Sequence, residues 1–232
     1  MIDKIVGSAA AAVADVRDGS TVMIGGFGTA GMPAELIDAL IANGARDLTI
    51  VNNNAGNGET GVAALLKARR VRKIICSFPR QVDSYVFDAL YRAGEIELEL
   101  VPQGNLAERI RAAGAGIGAF FTPTAYGTLL SAGKETREIG GRDYVLEYPI
   151  HADFALVKAD RDDRWGNLVY RKTARNFGPI MATAAKCTIA QVREVVALGA
   201  LDPEAIVTPG IFVRRLVEVG SSSAAARREG DA

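Results

Sequence analysis

Short apolar runs alternate with amphipathic segments along the first half of the chain. Five apolar runs are predicted to be strands: residues 21–25, 48–51, 71–76, 96–101 and 117–121. The segments between them have helical spacing and are predicted to be helices: residues 33–43, 60–69, 82–93 and 105–113. This alternation predicts an α/β fold with an open, mainly parallel sheet and helices on both faces. Ligands of such sheets bind at the carboxyl ends of the strands, here in five loops: residues 25–33, 52–61, 77–81, 102–105 and 122–127.

The pattern changes after residue 121. Residues 136–139 and 144–147 flank a pair of glycines, which is typical of a β-hairpin. A helix is predicted at 180–185, and further strands are predicted at 154–158, 167–170, 188–196 and 212–219. These elements add an antiparallel section in the C-terminal half. Because no linker interrupts the pattern, residues 1–220 are predicted to form a single domain, and the polar tail at 221–232 is predicted to be disordered.

The N-terminus and the charge balance exclude several classes of protein. Residues 5–16 are alanine-rich but only weakly hydrophobic, so they predict an amphipathic helix rather than a signal segment. Lys plus Arg equal Asp plus Glu at 27 each, and no basic stripe with interleaved aromatics suggests nucleic-acid binding. No run approaches the roughly 20 apolar residues that span a bilayer. A cytoplasmic protein is the expectation.

The cysteines and the histidine limit the available chemistry. Cys76 and Cys187 lie in apolar runs far apart in the sequence, so they predict buried free thiols in a reducing compartment. The chain contains a single histidine, His151, which excludes a metal site built from several histidines. No metal site is predicted.

A glycine-rich run follows the first predicted strand. Residues 24–33 have the sequence I-G-G-F-G-T-A-G-M-P, which predicts a strand end, a tight turn and a helix start. Part of the run fits the dinucleotide pattern G-x-G-x-x-G, but that pattern needs an acidic residue at the end of the second strand. This chain has Asn52-Asn53-Asn54 there, so nicotinamide or flavin binding is not favoured. Backbone N–H groups at such a turn can still hold an anion, phosphate above all.

The longer pattern from Asp18 to Pro33 resembles the signature of the alpha subunit in the 3-oxoacid coenzyme A-transferase family. Four later segments are also similar to that subunit: residues 51–56, 101–110, 119–128 and 171–177. The resemblance extends from about residue 3 to about residue 219. It implies the fold that coenzyme A-transferases share with sugar-phosphate isomerases.

The resemblance also implies a reaction and a partner. In this family a glutamate takes coenzyme A from a donor such as succinyl-coenzyme A and carries it as a glutamyl thioester. The thioester is a substrate, so no permanently bound cofactor is expected. The glutamate lies in a Ser-Glu-Asn-Gly segment of the beta subunit, whereas the nearest sequence here is Asn57-Gly58-Glu59-Thr60. The chain is therefore expected to supply half of an active site, in a heterodimer or heterotetramer with the beta subunit.

Two amides and one turn are the site residues that the resemblance implies. Asn53 and Gln103 are assigned to the surroundings of the reacting carbonyl, where a neutral amide would donate to the oxyanion. Their structural alternatives are a turn shaped by the three asparagines and a helix cap by Gln103.

Coenzyme A contacts are assigned to the glycine-rich turn, which consists of Gly25, Gly26, Phe27, Gly28, Thr29, Ala30 and Gly31. The alternative for this turn is a purely structural role at the subunit interface. For residues 171–177, contact with the partner or with a phosphate and a structural role are both open.

The acceptor is indicated by residues 76–88 and 148–154, which are similar to family members that use 3-oxoadipate in the β-ketoadipate pathway of aromatic catabolism. Arg80, with Gln81 or His151, is predicted to bind the distal carboxylate of that acceptor, because Arg clamps carboxylates bidentately.

The alternatives for these residues are a surface ion pair of Arg80 with Asp83 or a neighbour, and a structural hydrogen bond of His151. Three other functions stay open. They are transfer to acetoacetate or a short fatty acid, ligand binding without catalysis on the same fold, and redox catalysis.

Overall fold

The computed structural model of the chain describes residues 2–219, and the predicted tail at 221–232 lies outside the described residues. Within residues 2–219 the chain forms these strands: β1 (Thr21–Ile24), β2 (Leu48–Val51), β3 (Val71–Cys76), β4 (Glu97–Leu100), β5 (Phe120–Thr122), β6 (Thr136–Ile139), β7 (Arg142–Glu147), β8 (Ala152–Asp163), β9 (Leu168–Val169), β10 (Ala185–Val196) and β11 (Arg215–Glu218). The same range forms these α-helices: α1 (Ala9–Ala12), α2 (Ala34–Asn43), α3 (Val62–Lys67), α4 (Tyr85–Arg92), α5 (Gln103–Gly114) and α6 (Gly178–Ala184).

The main sheet has the strand order β11-β10-β8-β1-β2-β3-β4, and every neighbouring pair in this order is parallel. Strand β9 adds a short antiparallel pair to β8. Strand β1 lies between β2 and β8, and its Val22 is level with Ile50 and Phe154. The first four strands therefore end at the same edge of the sheet, which is where the candidate site lies.

Helices cover both faces of this sheet, as predicted. One face packs against α1 to α4 through buried side chains that include Leu36, Leu65 and Phe87. The other face packs against α5 and α6 through side chains that include Leu106 and Met181. Helices α2 to α5 begin and end within three residues of the predicted bounds. Among the described helices, none combines the length and apolar character needed to cross a membrane.

The prediction for residues 117–121 is wrong in its pairing. This run forms β5, which pairs antiparallel with β7 in a separate sheet of order β5-β7-β6 and does not extend the parallel sheet. The parallel sheet ends at β4, whose Glu97 and Glu99 form ion pairs with Lys73 of β3. A charged edge of this kind disfavours the addition of another strand.

The small antiparallel sheet contains the predicted hairpin and is joined to α5 by a buried carboxylate. Gly140 and Gly141 connect β6 to β7 with φ values of 61° and 77°, as a two-residue hairpin turn requires. Glu147 is 2% exposed, and it accepts hydrogen bonds from Lys134 Nζ at 2.7 Å and from Asn105 Nδ2 at 3.2 Å. Because Asn105 belongs to α5, Glu147 fixes the small sheet against the main fold.

The predicted helix at 5–16 is much shorter in the structure. Only Ala9–Ala12 is helical, and Ile5 before it forms an isolated parallel bridge with Leu216 of β11. Val6 N donates to Leu216 O, and Leu216 N donates to Lys4 O, both at 2.8 Å. Strand β11 therefore provides hydrogen-bond partners for backbone groups that would have bonded to one another within a longer helix.

Both cysteines are free thiols, and they differ in burial. Cys76 is buried at the end of β3, and burial raises the pKa of its thiol to about 12. Cys187 on β10 is only partly buried, and burial raises its pKa as well. The prediction of a buried thiol is confirmed for Cys76, whereas Cys187 is less enclosed than predicted.

Asp162 on β8 is a buried carboxylate whose two oxygens have no hydrogen-bond partner within residues 2–219. Burial raises the pKa of Asp162 to about 8, and the neighbouring charges of Asp163 and Glu218 act in the same direction. The ordinary value is 3.8, so between about pH 4 and pH 8 the folded chain binds a proton that the unfolded chain releases. The stability contributed by this group is fully present below about pH 4 and is lost progressively as the pH rises to the folded-state pKa of about 8.

Asp162→Asn is expected to remove this pH dependence. At each pH the melting temperature of the parent chain is subtracted from that of the variant. This difference should be several degrees more positive at pH 9 than at pH 5. Each pKa unit corresponds to about 1.4 kcal/mol, and each kcal/mol to about 2–4 °C at this chain length. Thermal unfolding at both pH values measures the effect. Asp160 lies on the same strand as Asp162, and Asp160→Asn removes its ion pair with Arg193 of β10, so this control should give the same offset at both pH values. A constant offset for Asp162→Asn would contradict the prediction.

Candidate active site

The carboxyl ends of β1 to β4 meet at one edge of the main sheet, beside the amino end of α5. Four of the five predicted site loops are at this edge: residues 25–33, 52–61, 77–81 and 102–105. The fifth loop, residues 122–127, follows β5 of the small sheet, so the prediction that it follows a strand of the main sheet is wrong. That loop contacts the main fold through Asn105 Nδ2, which donates to Thr124 O at 3.4 Å.

The three consecutive asparagines after β2 have different roles. Asn52 Nδ2 donates to Ile24 O at 2.6 Å and ties the end of β2 to β1. Asn54 Oδ1 accepts from Gly56 N at 2.9 Å and shapes the turn that follows. The turn-shaping alternative therefore applies to Asn52 and Asn54. Asn53 instead faces side chains from two neighbouring elements.

The side-chain amide of Asn53 is held in one orientation. Its Oδ1 accepts a hydrogen bond from Ser77 Oγ at 2.7 Å and another from Gln103 Nε2 at 2.9 Å. An amide oxygen has two lone pairs, and both are used here. The Nδ2 group has no hydrogen-bond partner in the described part of the chain. Since Asn53 is 2% exposed, its Nδ2 is a shielded donor of fixed direction.

Gln103 and Ser77 complete this amide cluster. Gln103 is the first residue of α5, and the helix has no side-chain cap at its start, so the capping alternative does not hold. Its side chain bonds to Asn53 instead, which brings the two predicted amides together. The sequence analysis included Ser77 only as the first residue of the predicted site loop 77–81 and gave its side chain no role. The signal that could have found it is its position directly after β3, at the edge where the asparagines lie.

The glycine-rich turn folds back on itself. Phe27 N donates to Ala30 O at 3.0 Å, and Ala30 N donates to Phe27 O at 3.2 Å. Gly26 and Gly28 have φ values of 125° and 61°, which glycine adopts without strain. Phe27 at the tip is 50% exposed, so its ring is available for contact.

The side chain of Asn176, which is 150 positions after Gly26 in the sequence, holds the glycine-rich turn in place. Its Oδ1 accepts from Gly26 N at 3.1 Å, and its Nδ2 donates to Ala30 O at 2.9 Å. Gly31 packs directly against the backbone of the same segment, with no room for a Cβ. Residues 171–177 therefore have a structural role, because they support the glycine-rich turn. Contact of this segment with a partner or a phosphate stays open.

A cavity of about 570 Å³ lies between the glycine-rich turn and the loop after β2. Its lining includes Gly28, Thr29, Asn54, Asn57, Gln81 and Lys158. Glu59 also lines it, but this carboxylate is ion-paired with Lys67, which holds the pKa of Glu59 below its usual value. Gln81 and the glycine-rich turn thus line the same cavity.

A second depression, of about 650 Å³, lies on the other side of the turn. It is lined by Phe27, Ala30, Lys172, Thr173, Arg175 and Asn176. Neither Lys172 nor Arg175 forms an ion pair with a carboxylate within residues 2–219. Two unpaired cations beside an exposed aromatic ring can hold an anionic ligand that carries a flat ring system.

Arg80, Gln81 and His151 do not come together in this chain. Arg80 is exposed and binds both carboxylate oxygens of Asp88, through Nε at 2.6 Å and Nη2 at 2.8 Å. The predicted ion-pair alternative therefore exists, with Asp88 as the partner. His151 is exposed and precedes β8, which runs parallel to β1 with Phe154 level with Val22. His151 thus lies at the opposite edge of the sheet from Arg80.

The fold defined by these elements is that of an enzyme class with solved members. An acyl-CoA transferase from Escherichia coli O157:H7 superposes with a TM-score of 0.84 at 21% sequence identity. The match covers 94% of this chain and 47% of that protein, so the chain spans about half its length. The sequence model of the family described as Coenzyme A transferase matches residues 6–219. The chain belongs to the coenzyme A transferase family, which confirms the resemblance seen in the glycine-rich signature.

Two relatives, both subunits of 3-oxoadipate CoA-transferases, are similar over almost the whole chain. The relative from Pseudomonas putida is 73% identical over 224 residues, which are 97% of both chains. The relative from Acinetobacter baylyi is 67% identical over 226 residues, which are 97% of this chain and 99% of that one.

Proposed function

We propose that the chain is the alpha subunit of an enzyme that transfers coenzyme A from succinyl-coenzyme A to 3-oxoadipate. The observation that carries the proposal is the 73% identity, over 97% of both chains, to the 3-oxoadipate CoA-transferase subunit of Pseudomonas putida. The amide cluster of Asn53, Ser77 and Gln103 supports it, because it offers a fixed neutral donor where the family's reaction needs one.

The proposed reaction proceeds through two kinds of covalent intermediate, an anhydride and a thioester, on the glutamate of the beta subunit. The carboxylate attacks the carbonyl of succinyl-coenzyme A, and coenzyme A leaves as a thiolate, which gives a succinyl–glutamyl anhydride. The thiolate then attacks the glutamyl carbonyl and succinate leaves, so that coenzyme A is held as a glutamyl thioester. The same two steps in reverse, with 3-oxoadipate, form its thioester and restore the glutamate.

Each attack places negative charge on a carbonyl oxygen, and Asn53 is the group of this chain suited to that oxygen. Asn53 is 2% exposed, and its Nδ2 is unused by other groups in the described residues. Donors fixed in advance need no reorganisation when the charge develops, which is why they stabilise the transition state strongly. Gln103 holds the Asn53 oxygen with one N–H and has a second N–H to offer.

Coenzyme A itself is proposed to contact the glycine-rich turn. Support comes from the half-exposed ring of Phe27 and from the two unpaired cations, Lys172 and Arg175, in the adjoining depression. A purine ring and phosphates are the matching parts of the ligand. Coenzyme A acts as a substrate that enters and leaves as a thioester.

The nucleophile is proposed to come from a beta subunit that carries the Ser-Glu-Asn-Gly segment, in a heterodimer or heterotetramer. Residues 1–220 are proposed to act as one domain of that complex. The cytoplasm is the proposed location, because both cysteines of the chain are free thiols and thiols stay reduced there.

A reconstitution assay tests this proposal. The purified chain is combined with the Ser-Glu-Asn-Gly chain from the same source, and transfer from succinyl-coenzyme A is followed with 3-oxoadipate and with acetoacetate. We expect transfer only in the mixture, with higher kcat/KM for 3-oxoadipate. The mixture made with a Glu→Gln variant of the beta subunit is the control.

Other outcomes have definite meanings. Activity of this chain alone would place the nucleophile here, with Glu59 the first residue to change. Transfer to acetoacetate but not to 3-oxoadipate would overturn the acceptor. Ligand binding without transfer in any mixture would favour a non-catalytic binding protein.

Arg80→Ala is expected to lower kcat/KM for 3-oxoadipate about 10- to 100-fold and to leave acetoacetate turnover nearly unchanged. Only 3-oxoadipate has a second carboxylate, and a hydrogen bond between charged groups is worth about 1.5–3 kcal/mol. Since Arg80 is paired with Asp88, the substrate must replace at least one of those hydrogen bonds. Asp88→Asn weakens that pair and should keep the preference for 3-oxoadipate. Equal losses with both acceptors in Arg80→Ala would remove Arg80 from the acceptor site.

A further inference from the structure

We propose that Ser77 is a positioning residue, whose hydroxyl fixes the side-chain amide of Asn53 so that Nδ2 faces the reacting carbonyl. The proposal deepens the proposed function and rests on it for the role of Asn53. Ser77 lies directly after β3, on a different strand from Asn53, and its Oγ is 2.7 Å from Asn53 Oδ1.

The proton of the Ser77 hydroxyl has two candidate acceptors, and the backbone decides between them. Ser77 Oγ is 3.1 Å from Asn53 O and 2.7 Å from Asn53 Oδ1. Asn53 O already accepts backbone hydrogen bonds from Ser77 N at 3.1 Å and from Phe78 N at 3.0 Å. These fill both lone pairs of the carbonyl oxygen. The hydroxyl proton therefore goes to Oδ1, which makes Ser77 a donor to the amide.

Gln103 alone would not fix the amide of Asn53. Two side-chain amides can pair in either of two senses, because each has a donor end and an acceptor end. If Asn53 turned over, Gln103 could turn over with it and pair in the opposite sense, since Gln103 is exposed and its one side-chain hydrogen bond within residues 2–219 is to Asn53. Ser77 favours one of the two orientations. Its hydroxyl proton needs an oxygen acceptor at the Oδ1 position, and a turned-over amide would place an NH₂ group there instead.

The test compares three serine variants in the complex reconstituted with the beta subunit. Ser77→Ala is expected to lower kcat about tenfold with KM within about twofold, as loss of one hydrogen bond of this kind does. Ser77→Thr keeps the hydroxyl and should restore most of the rate. Ser131→Ala is the matched control: this serine is also partly buried, its hydroxyl donates to Thr128 O at 2.8 Å, and its loss should leave kcat unchanged.

A second measurement does not depend on activity. The side-chain NH₂ signals of Asn53 in a ¹⁵N-correlated spectrum of the chain are assigned by their absence in Asn53→Asp. They should move in Ser77→Ala and stay near their original positions in Ser77→Thr.

Unchanged kcat in Ser77→Ala, an equal loss in Ser77→Thr, or a rise in KM without a fall in kcat would each overturn the positioning role. A parent complex without transfer to 3-oxoadipate would count against the proposed function instead. The amide signals then decide, because identical Asn53 signals in the parent and Ser77→Ala chains would overturn the orientation by Ser77.

Discussion

Asn53→Asp is expected to lower kcat for coenzyme A transfer by about 100- to 1,000-fold, with KM changed by less than about threefold. Aspartate has nearly the same shape and keeps an oxygen for Ser77 and Gln103. It replaces the outward NH₂ by a second oxygen, so the developing oxyanion meets an acceptor of like charge. Steady-state kinetics of the complex with the beta subunit measure the change.

Asn53→Ala separates the loss of the donor from the addition of a charge. If the amide N–H is what matters, alanine should cost about as much kcat as aspartate. A large loss with aspartate and a small one with alanine would mean that repulsion, rather than a missing hydrogen bond, causes the effect. Melting temperatures within a few degrees of the parent chain would exclude unfolding as the reason.

Gly31→Ala is expected to be the most destabilising single change in the glycine-rich turn, with a loss of about 3 kcal/mol or more of unfolding free energy. Gly31 has a φ of 75°, and a Cβ there would overlap the carbonyl oxygen of Ala174. The Ala174 carbonyl is backbone and cannot rotate away, and the next atom in the way, Asn176 Nδ2, is held by hydrogen bonds to Ala30 O and Thr173 O. Thermal unfolding of the chain should show a melting temperature about 6–12 °C lower.

Gly28→Ala is the matched control for this prediction. Gly28 lies in the same turn and has a φ of 61°, but a Cβ there would point into open space. Only the left-handed backbone should then matter, at about 1–2 kcal/mol. Equal destabilisation by the two variants would show that the contact of Gly31 with the 171–177 segment contributes nothing.

Most of the parallel sheet could be predicted because its strands are short apolar runs bounded by residues that form turns. The predicted bounds of β2 and β3 agree with the structure to the residue. The partner of β5 could not be predicted in the same way. An apolar run indicates a strand, but the choice of neighbour depends on features of other strands, such as the charged edge of β4.

The site was predictable only in part, for a similar reason. Family resemblance pointed to Asn53 and Gln103, and the structure places their side-chain amides 2.9 Å apart although the residues are 50 positions apart in the sequence. Ser77 belongs to no motif, because a single serine after a strand is common, and only its distance to Asn53 distinguishes it. Arg80 follows the carboxyl end of β3, whereas His151 precedes the amino end of β8, so the two residues lie at opposite edges of the parallel sheet. The direction of a strand cannot be inferred from the chemistry of the side chains beside it.

The contact between Asn176 and Gly26 bears on how the protein is made. Residues 150 positions apart must meet before the glycine-rich turn has its final shape. Strand β1 likewise gains its second neighbour only when β8 has left the ribosome. Contacts of such long range form slowly and late. A nascent chain that ends near residue 150 would therefore carry the entire signature sequence while its glycine-rich turn still lacks Asn176, the residue that holds it in shape.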